Sequence, residues 1–109
     1  MLSNLVTGAS GFLGSHLAEA LVARGERVRA LVRPTSKIAY LQSLGVELAY
    51  GDLTDAQSLR TALEGIELVY HCAALVADWG DPWAAFRAAN VTGLRSLLEA
   101  ATAVGVRRF

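Results

Sequence analysis

Only one cysteine and two prolines occur in this chain of 109 residues, and its charges cancel, with ten basic residues against ten acidic ones. Each scarcity excludes something. A lone Cys72 rules out an internal disulfide and suits a reducing compartment, so the cytoplasm is the expected location. The balanced charge builds no field for nucleic acid or for an anionic membrane surface. No apolar run approaches the roughly 20 residues needed to span a bilayer. No signal peptide is expected, since the first strand begins almost at Met1. There is no repeat, linker or low-complexity tract. The acids Glu19, Glu64 and Glu99 show no paired-carboxylate spacing, and no Ser-His-Asp arrangement is supported. His16 and His71 lie far apart, and strand alternation turns His71 and Cys72 to opposite faces, so both histidines read as packing residues and no metal site is expected. What remains is 53% hydrophobic and 18% charged, the composition of one globular unit or part of one.

The informative stretch is Val6-Thr7-Gly8-Ala9-Ser10-Gly11-Phe12-Leu13-Gly14-Ser15-His16-Leu17. Leu5 and Val6 close a buried strand, and Leu17, Leu21 and Val22 then recur at helical spacing. Between them Gly8, Gly11 and Gly14 stand three residues apart. Such a turn suits a pyrophosphate. The first glycine lets the chain leave the strand sharply, the second lets backbone approach the phosphates, and the third lets the helix pack closely. The helix start offers unpaired N–H groups and a positive dipole end. The amides of Phe12 and Leu13 are the expected phosphate donors, with their side chains packed inside. The plain alternative, a glycine-rich turn without a ligand, is weakened by the strand before it and the helix after it.

The rest of the chain alternates in the same way. Strands are expected over 2–6, 27–33, 46–50 and 67–72, with Val28, Ala30 and Val32 sharing one face. Helices are expected over 12–24, 36–44 and 55–63, the third capped by Thr54. Gly25, Gly45 and Gly65 close these helices. Pro34 stops the second strand. After a loop over 73–81, Pro82 opens a long fourth helix reaching Val104, with Phe86, Ala89, Leu94, Leu97, Leu98 and Ala101 inward. Residues 105–109 read as the entry to a fifth strand. Strands separated by helices imply right-handed crossovers and a doubly wound parallel sheet of the α/β class. The expected order is 3-2-1-4 in a single domain over 1–109, with a ligand crevice between strands one and four. The far edge of strand four is expected to be unpaired, which would favour self-association and low stability.

These motifs carry a resemblance. Thr7 to Leu17, then Gly51-Asp52-Leu53, His71-Cys72-Ala73-Ala74 and Asn90-Val91-Thr92-Gly93-Leu94 follow the order of the extended short-chain dehydrogenase/reductases. The pattern resembles their NAD-dependent epimerase/dehydratase group. Leu31-Val32-Arg33-Pro34-Thr35-Ser36 and Ala77-Asp78-Trp79-Gly80 incline it toward the dihydroflavonol-reductase-like and 3β-hydroxysteroid-dehydrogenase-like branch. The resemblance implies a Rossmann domain holding a nicotinamide cofactor, with Thr7, Gly8, Ser10, Gly11, Phe12, Leu13 and Gly14 among its binding residues. It implies Asp52 as acceptor for the adenine amino group, Leu53 beside the ring, Ala73 and Ala74 near a ribose, and a supporting role for Asn90 in fixing active-site backbone. It also implies a catalytic Ser/Thr and a Tyr-x-x-x-Lys pair. None of Tyr40, Tyr50 and Tyr70 has a lysine four residues on, so that pair would lie beyond Phe109 and the chain alone is expected to be inert. Family dimers form through helices that include the fourth, which brings in Leu94 to Ala103.

Each assignment has a structural alternative. Asp52 is also a common turn residue. Ala73 and Ala74 also suit ordinary close packing, Asn90 a helix surface, and Asp78 and Trp79 a cap or a substrate mouth. Arg33 bears on the cofactor. An NAD site usually places an acid at the end of strand two. Here Leu31-Val32-Arg33-Pro34 has none, and an arginine there pairs with the 2′-phosphate of NADP, helped by Ser36 and Lys37. NADP is therefore expected over NAD, with a solvated strand-end charge as the alternative. The resulting expectation is the cofactor-binding portion of an oxidoreductase or epimerase acting on a hydroxyl or carbonyl carbon of a small molecule. Its rival is a cofactor-binding sensor or scaffold that turns nothing over.

Overall fold

The computed structural model describes residues 3–73 and 91–109. Four parallel strands, β1 (Ser3–Thr7), β2 (Arg27–Val32), β3 (Glu47–Tyr50) and β4 (Leu68–His71), stand in the order β3-β2-β1-β4. The helices are α1 (Phe12–Ala23), α2 (Ala39–Ser43), α3 (Ala56–Leu63) and α4 (Gly93–Val104). The order reverses at β1, as expected for a doubly wound sheet. The strands end together, since Thr7 pairs with Leu31 on one side and with His71 on the other, and Val32 pairs with Tyr50. Their C-terminal ends therefore form one continuous rim.

Period-2 alternation divides the core between the two faces of the sheet. Val6, Val28, Ala30 and Val32 pack under α1 and α2, against Ala18, Leu21 and Leu41. Leu5, Leu31 and Val69 pack under α3 and α4, against Leu59, Leu63, Leu97 and Ala101. Leu5, Leu59, Leu63 and Leu97 are fully buried, and each contributes roughly 1.5–3 kcal/mol of apolar transfer. Gly25 closes α1 with φ at 80°, the left-handed conformation expected there.

Several expectations need correcting. Leu98 does not join the inward stripe of α4; it is 42% exposed, while Gly93, Leu97, Ala100 and Ala101 are buried. One residue along a helix is a rotation of about 100°, which carries Leu98 off the core line that Leu97 occupies. The cap of α3 is Asp55, whose carboxylate accepts the N–H groups of Gln57 and Ser58; Thr54 instead donates to Asp52. The outer edge of β4 is engaged at its start. Arg108 bridges Leu68 in parallel, the Val69 N–H donates to the Arg108 carbonyl at 3.0 Å, and the Arg107 N–H donates to the Glu67 carbonyl at 2.9 Å. The turn at Gly105 sends the chain back toward the sheet, and Val106 packs on the core below α4. The expected inward residues Phe86 and Ala89 and the helix start at Pro82 lie outside the described residues.

Arg29 has a structural part that the sequence does not announce. From within β2 it donates to the carbonyls of Ala62 and Glu64 at 2.7 Å each, and it pairs with Glu47 at 3.2 Å. A cation is thus held at the negative end of α3.

Candidate functional site

The glycine turn forms the centre of the strand-end rim. Gly8 takes φ at 65° as the chain leaves β1. A Cβ there would stand 2.6 Å from the Ala73 nitrogen, so the turn also lies directly against the chain leaving β4. A Cβ on Gly14 would stand 2.1 Å from the Gly8 carbonyl oxygen, so α1 is seated on the turn itself as closely as backbone permits. At Gly11 the corresponding gap is 3.3 Å. Its absent side chain serves the open side, where Ser10 and Gly11 are exposed.

The start of α1 is open. Its N-cap, Gly11, supplies no side-chain acceptor, and among the described residues no group accepts from the amides of Phe12, Leu13 and Gly14. Unpaired amides at the positive end of a twelve-residue helix make a place for an anion. Phe12 and Leu13 were expected to pack and do not; they are 84% and 67% exposed. The first turn of α1 stands beyond the strand ends, and no described residue reaches over it. His16 is exposed rather than packed. It bonds the Phe12 carbonyl at 2.7 Å and lies with its ring 4.5 Å from that of Phe12.

Thr7 is 1% exposed. Its hydroxyl accepts the N–H groups of Cys72 and Ala73 at 3.1 and 3.2 Å and meets His71 Nδ1 at 2.7 Å. Thr7 thus fastens the end of β1 to the end of β4, beside Gly8. Burial lowers the His71 pKa and raises that of the Cys72 thiol. Alternation alone gave His71 no partner, because this bond spans 64 positions and depends on the β1–β4 register. Ala74, Asp78, Trp79 and Asn90 lie outside the described residues.

Along the same rim, a cleft of about 450 Å³ opens over the ends of β2 and β3, lined by Arg33, Thr35, Tyr50, Asp52, Asp55 and Ser58 among others. Arg33 is exposed at the end of β2, and its backbone closes a turn with Ser36 through bonds of 2.9 and 3.0 Å. Its guanidinium makes no hydrogen bond or ion pair among the described residues. Asp52 Oδ1 accepts from the Thr54 N–H and hydroxyl, both at 2.8 Å. These bonds, and then the charge of Arg33, hold the carboxyl below its usual range. Asp52 therefore does form the turn that its residue type suggests, and its second oxygen takes no bond from a described residue. Leu53 is half-buried against the core under α3 and α4. An open helix start and a cleft over the ends of β2 and β3 thus lie along one rim of the sheet.

The comparisons with known proteins agree with this geometry. Residues 4–109 match the model of the NAD dependent epimerase/dehydratase family. The chain belongs to that family. Among epimerase/dehydratase relatives, sterol demethylase protein B of Methylococcus capsulatus is 52% identical over 108 residues, which is 98% of this chain and 33% of that protein. A 3 beta-hydroxysteroid dehydrogenase/Delta 5-->4-isomerase of Mycobacterium tuberculosis is 37% identical over 111 residues, 96% of this chain and 30% of that protein. The crystal structure of Thermus thermophilus UDP-glucose 4-epimerase in complex with NAD superposes with a TM-score of 0.85 at 34% identity, over 96% of this chain and 35% of that one. The chain thus spans about a third of the length of the relatives it matches. The Rossmann-type arrangement described above is shared with that epimerase structure, and the inclination toward the reductase and hydroxysteroid branch accords with the second of these relatives. No helix among the described residues is long and apolar enough to cross a membrane.

Proposed function

We propose that this chain holds the nicotinamide dinucleotide of an NAD(P)-dependent oxidoreductase or epimerase that works on a hydroxyl- or carbonyl-bearing carbon of a small molecule. The observation that carries the reading is the uncapped start of α1, seated against Gly8 by Gly14 at the strand-end rim. When bound, the cofactor supplies the hydride chemistry, and the protein positions it. The residues present fit that group. The amides of Phe12, Leu13 and Gly14, unbonded among the described residues, would take the pyrophosphate, and the second oxygen of Asp52 would accept from the adenine amino group. Thr7 would serve by fixing the crevice wall, since its hydroxyl is already bonded within the protein. The relatives carry enzyme names, which favours a working enzyme over a sensor or scaffold.

Within this reading Arg33 selects NADP. It stands at the end of β2, on the cleft, with a guanidinium unbonded among the described residues and no acid beside it in the sequence. Calorimetric titration with NADPH and NADH tests both points. Saturable binding with NADPH tighter is expected. Arg33→Ala should weaken NADPH by roughly tenfold or more, the cost of a lost charged bond, and leave NADH nearly unchanged. Equal binding of NADH and NADPH removes the NADP assignment, and binding of neither overturns the function.

A further inference from the structure

We infer that His71 is a positioning residue of the crevice: its neutral ring holds the Thr7 hydroxyl in the orientation that fastens β4 to the glycine turn, and protonating it loosens that joint. The inference rests on the proposed cofactor site, because the parts joined are the crevice walls.

The argument is one of donors and acceptors. A hydroxyl has one proton to donate and two lone pairs to accept with. At Thr7 both lone pairs face donors, the N–H groups of Cys72 and Ala73. Its proton then points to the remaining neighbour, His71 Nδ1 at 2.7 Å. Nδ1 is therefore an acceptor, and the ring carries its proton on Nε2. A protonated ring would present a third donor to an oxygen already accepting two, and the hydroxyl proton would lose its acceptor. One of the two N–H bonds to the hydroxyl must then give way; the Cys72 N–H also reaches the Thr7 carbonyl at 3.2 Å, so Ala73 is the amide left without an acceptor among the described residues.

The place of the joint makes this matter. The Ala73 nitrogen is the atom that a side chain on Gly8 would strike, so freeing the Ala73 N–H frees the chain that limits the turn. The described groups facing His71 are the Thr7 hydroxyl and the ring of Phe109, 6.1 Å away. On the adjoining segments, Glu67 and Arg107 pair with each other at 3.5 Å, and Arg108 bridges Leu68 at the other end of β4. Burial lowers the His71 pKa. The joint is therefore closed at neutral pH and opens on acidification below the ordinary histidine range.

The test uses the ring nitrogens first. Selective 15N labelling of the histidines should show His71 Nδ1 unprotonated and Nε2 protonated at neutral pH. Titration with NADP+ follows, in the native protein and in His71→Asn, whose Oδ1 can accept at the Nδ1 position and does not titrate. The cofactor's own titration is common to both proteins and cancels in their ratio. That ratio should be near one at neutral pH and should shift against the native protein by about tenfold in acid, the effect of one buried bond. His71→Leu should bind about tenfold weaker at neutral pH. A ring protonated on Nδ1, parallel pH profiles for the native and Asn proteins, or normal binding by His71→Leu would each overturn the inference. If NADP+ does not bind at all, the proposed function falls, and hydrogen exchange at the Ala73 amide decides the joint. Exchange there, relative to the other amides, should quicken in acid in the native protein and not in His71→Asn; equal exchange in the two overturns it.

Discussion

Two helices begin on the same rim of this sheet and begin differently. α3 is closed by its own residue, since Asp55 accepts from the amides of Gln57 and Ser58. α1 is left open, with a glycine at its cap and no acid in its first turn. Both have the same unpaired N–H groups and the same dipole sense. On the proposed function the difference has a reason: a helix start that only has to be stable receives an acceptor from the chain, and Gly11 leaves the start of α1 without one because a capping side chain would occupy the place of the ligand.

The largest expected break of this contrast is at Gly14. In Gly14→Val the new Cβ would meet the Gly8 carbonyl oxygen and carbon and the Ala9 Cα, all backbone. α1 must then lift from the turn. Destabilisation of about 3 kcal/mol is expected from overpacking of this kind, together with loss of dinucleotide binding. Chemical denaturation and calorimetry measure the two. A native midpoint with native affinity would show that the close seat of α1 is not what shapes the site.

Gly11→Asp makes α1 resemble α3. Gly11 has φ at −84° and ψ at 177°, extended backbone that any residue adopts, and its Cβ contact of 3.3 Å asks only a small adjustment. The new carboxylate should cap α1 and add roughly 0.5–1 kcal/mol of stability. It should also weaken dinucleotide binding on the order of a hundredfold, since like charges about 4 Å apart near a protein surface repel by roughly 4 kcal/mol before screening. Stability rising while affinity falls would be the signature of a start kept open for an anion. Both falling together would mean that the change merely damages the turn.

This contrast also marks how far sequence alone reaches. The order of elements, the 3-2-1-4 sheet, the Val28-Ala30-Val32 face and the parts of Gly8 and Gly14 follow from periodicity and from spacing within a dozen residues. What escaped needed either a neighbour's identity or a register. Thr54 and Asp55 are both good caps, and only the Asp52 turn, which claims the Thr54 hydroxyl, decides between them. The exposure of Phe12 and Leu13 depends on what lies over the rim, which no helical period encodes. The link between Thr7 and His71 requires the β1–β4 register, and the hold of Arg29 on α3 requires the packing of that helix across the sheet. The return of Arg108 to Leu68 depends on where the turn at Gly105 aims the chain.

A smaller effect is expected at the closed helix. Asp55→Ala removes the cap of α3 and should cost about 1 kcal/mol, read as a lowered denaturation midpoint. Dinucleotide affinity should stay within about twofold of native, because the Asp55 carboxylate, although on the wall of the cleft, is engaged by the Gln57 and Ser58 amides. A large loss of affinity with an unchanged midpoint would transfer Asp55 from the closed helix to the site and would erase the distinction between the two starts.

The smallest effect concerns Asp52, at the turn between β3 and α3. Its folded-state pKa lies below the ordinary carboxylate value because Thr54 donates to the ionised form and Arg33 stands near it. A depressed carboxyl favours folding above its unfolded pKa and loses that contribution as pH falls through the folded value. The acid limb of the stability profile should therefore be shallower in Asp52→Asn, with the two proteins converging at the lowest pH. The group is largely solvated, so the difference should be small and should shrink further in salt. The same variant replaces a carboxylate acceptor by an amide at the cleft, and NADPH affinity at neutral pH then separates its two parts. A flattened acid limb with native affinity would leave Asp52 as a turn residue alone, while weakened affinity would place its second oxygen on the adenine.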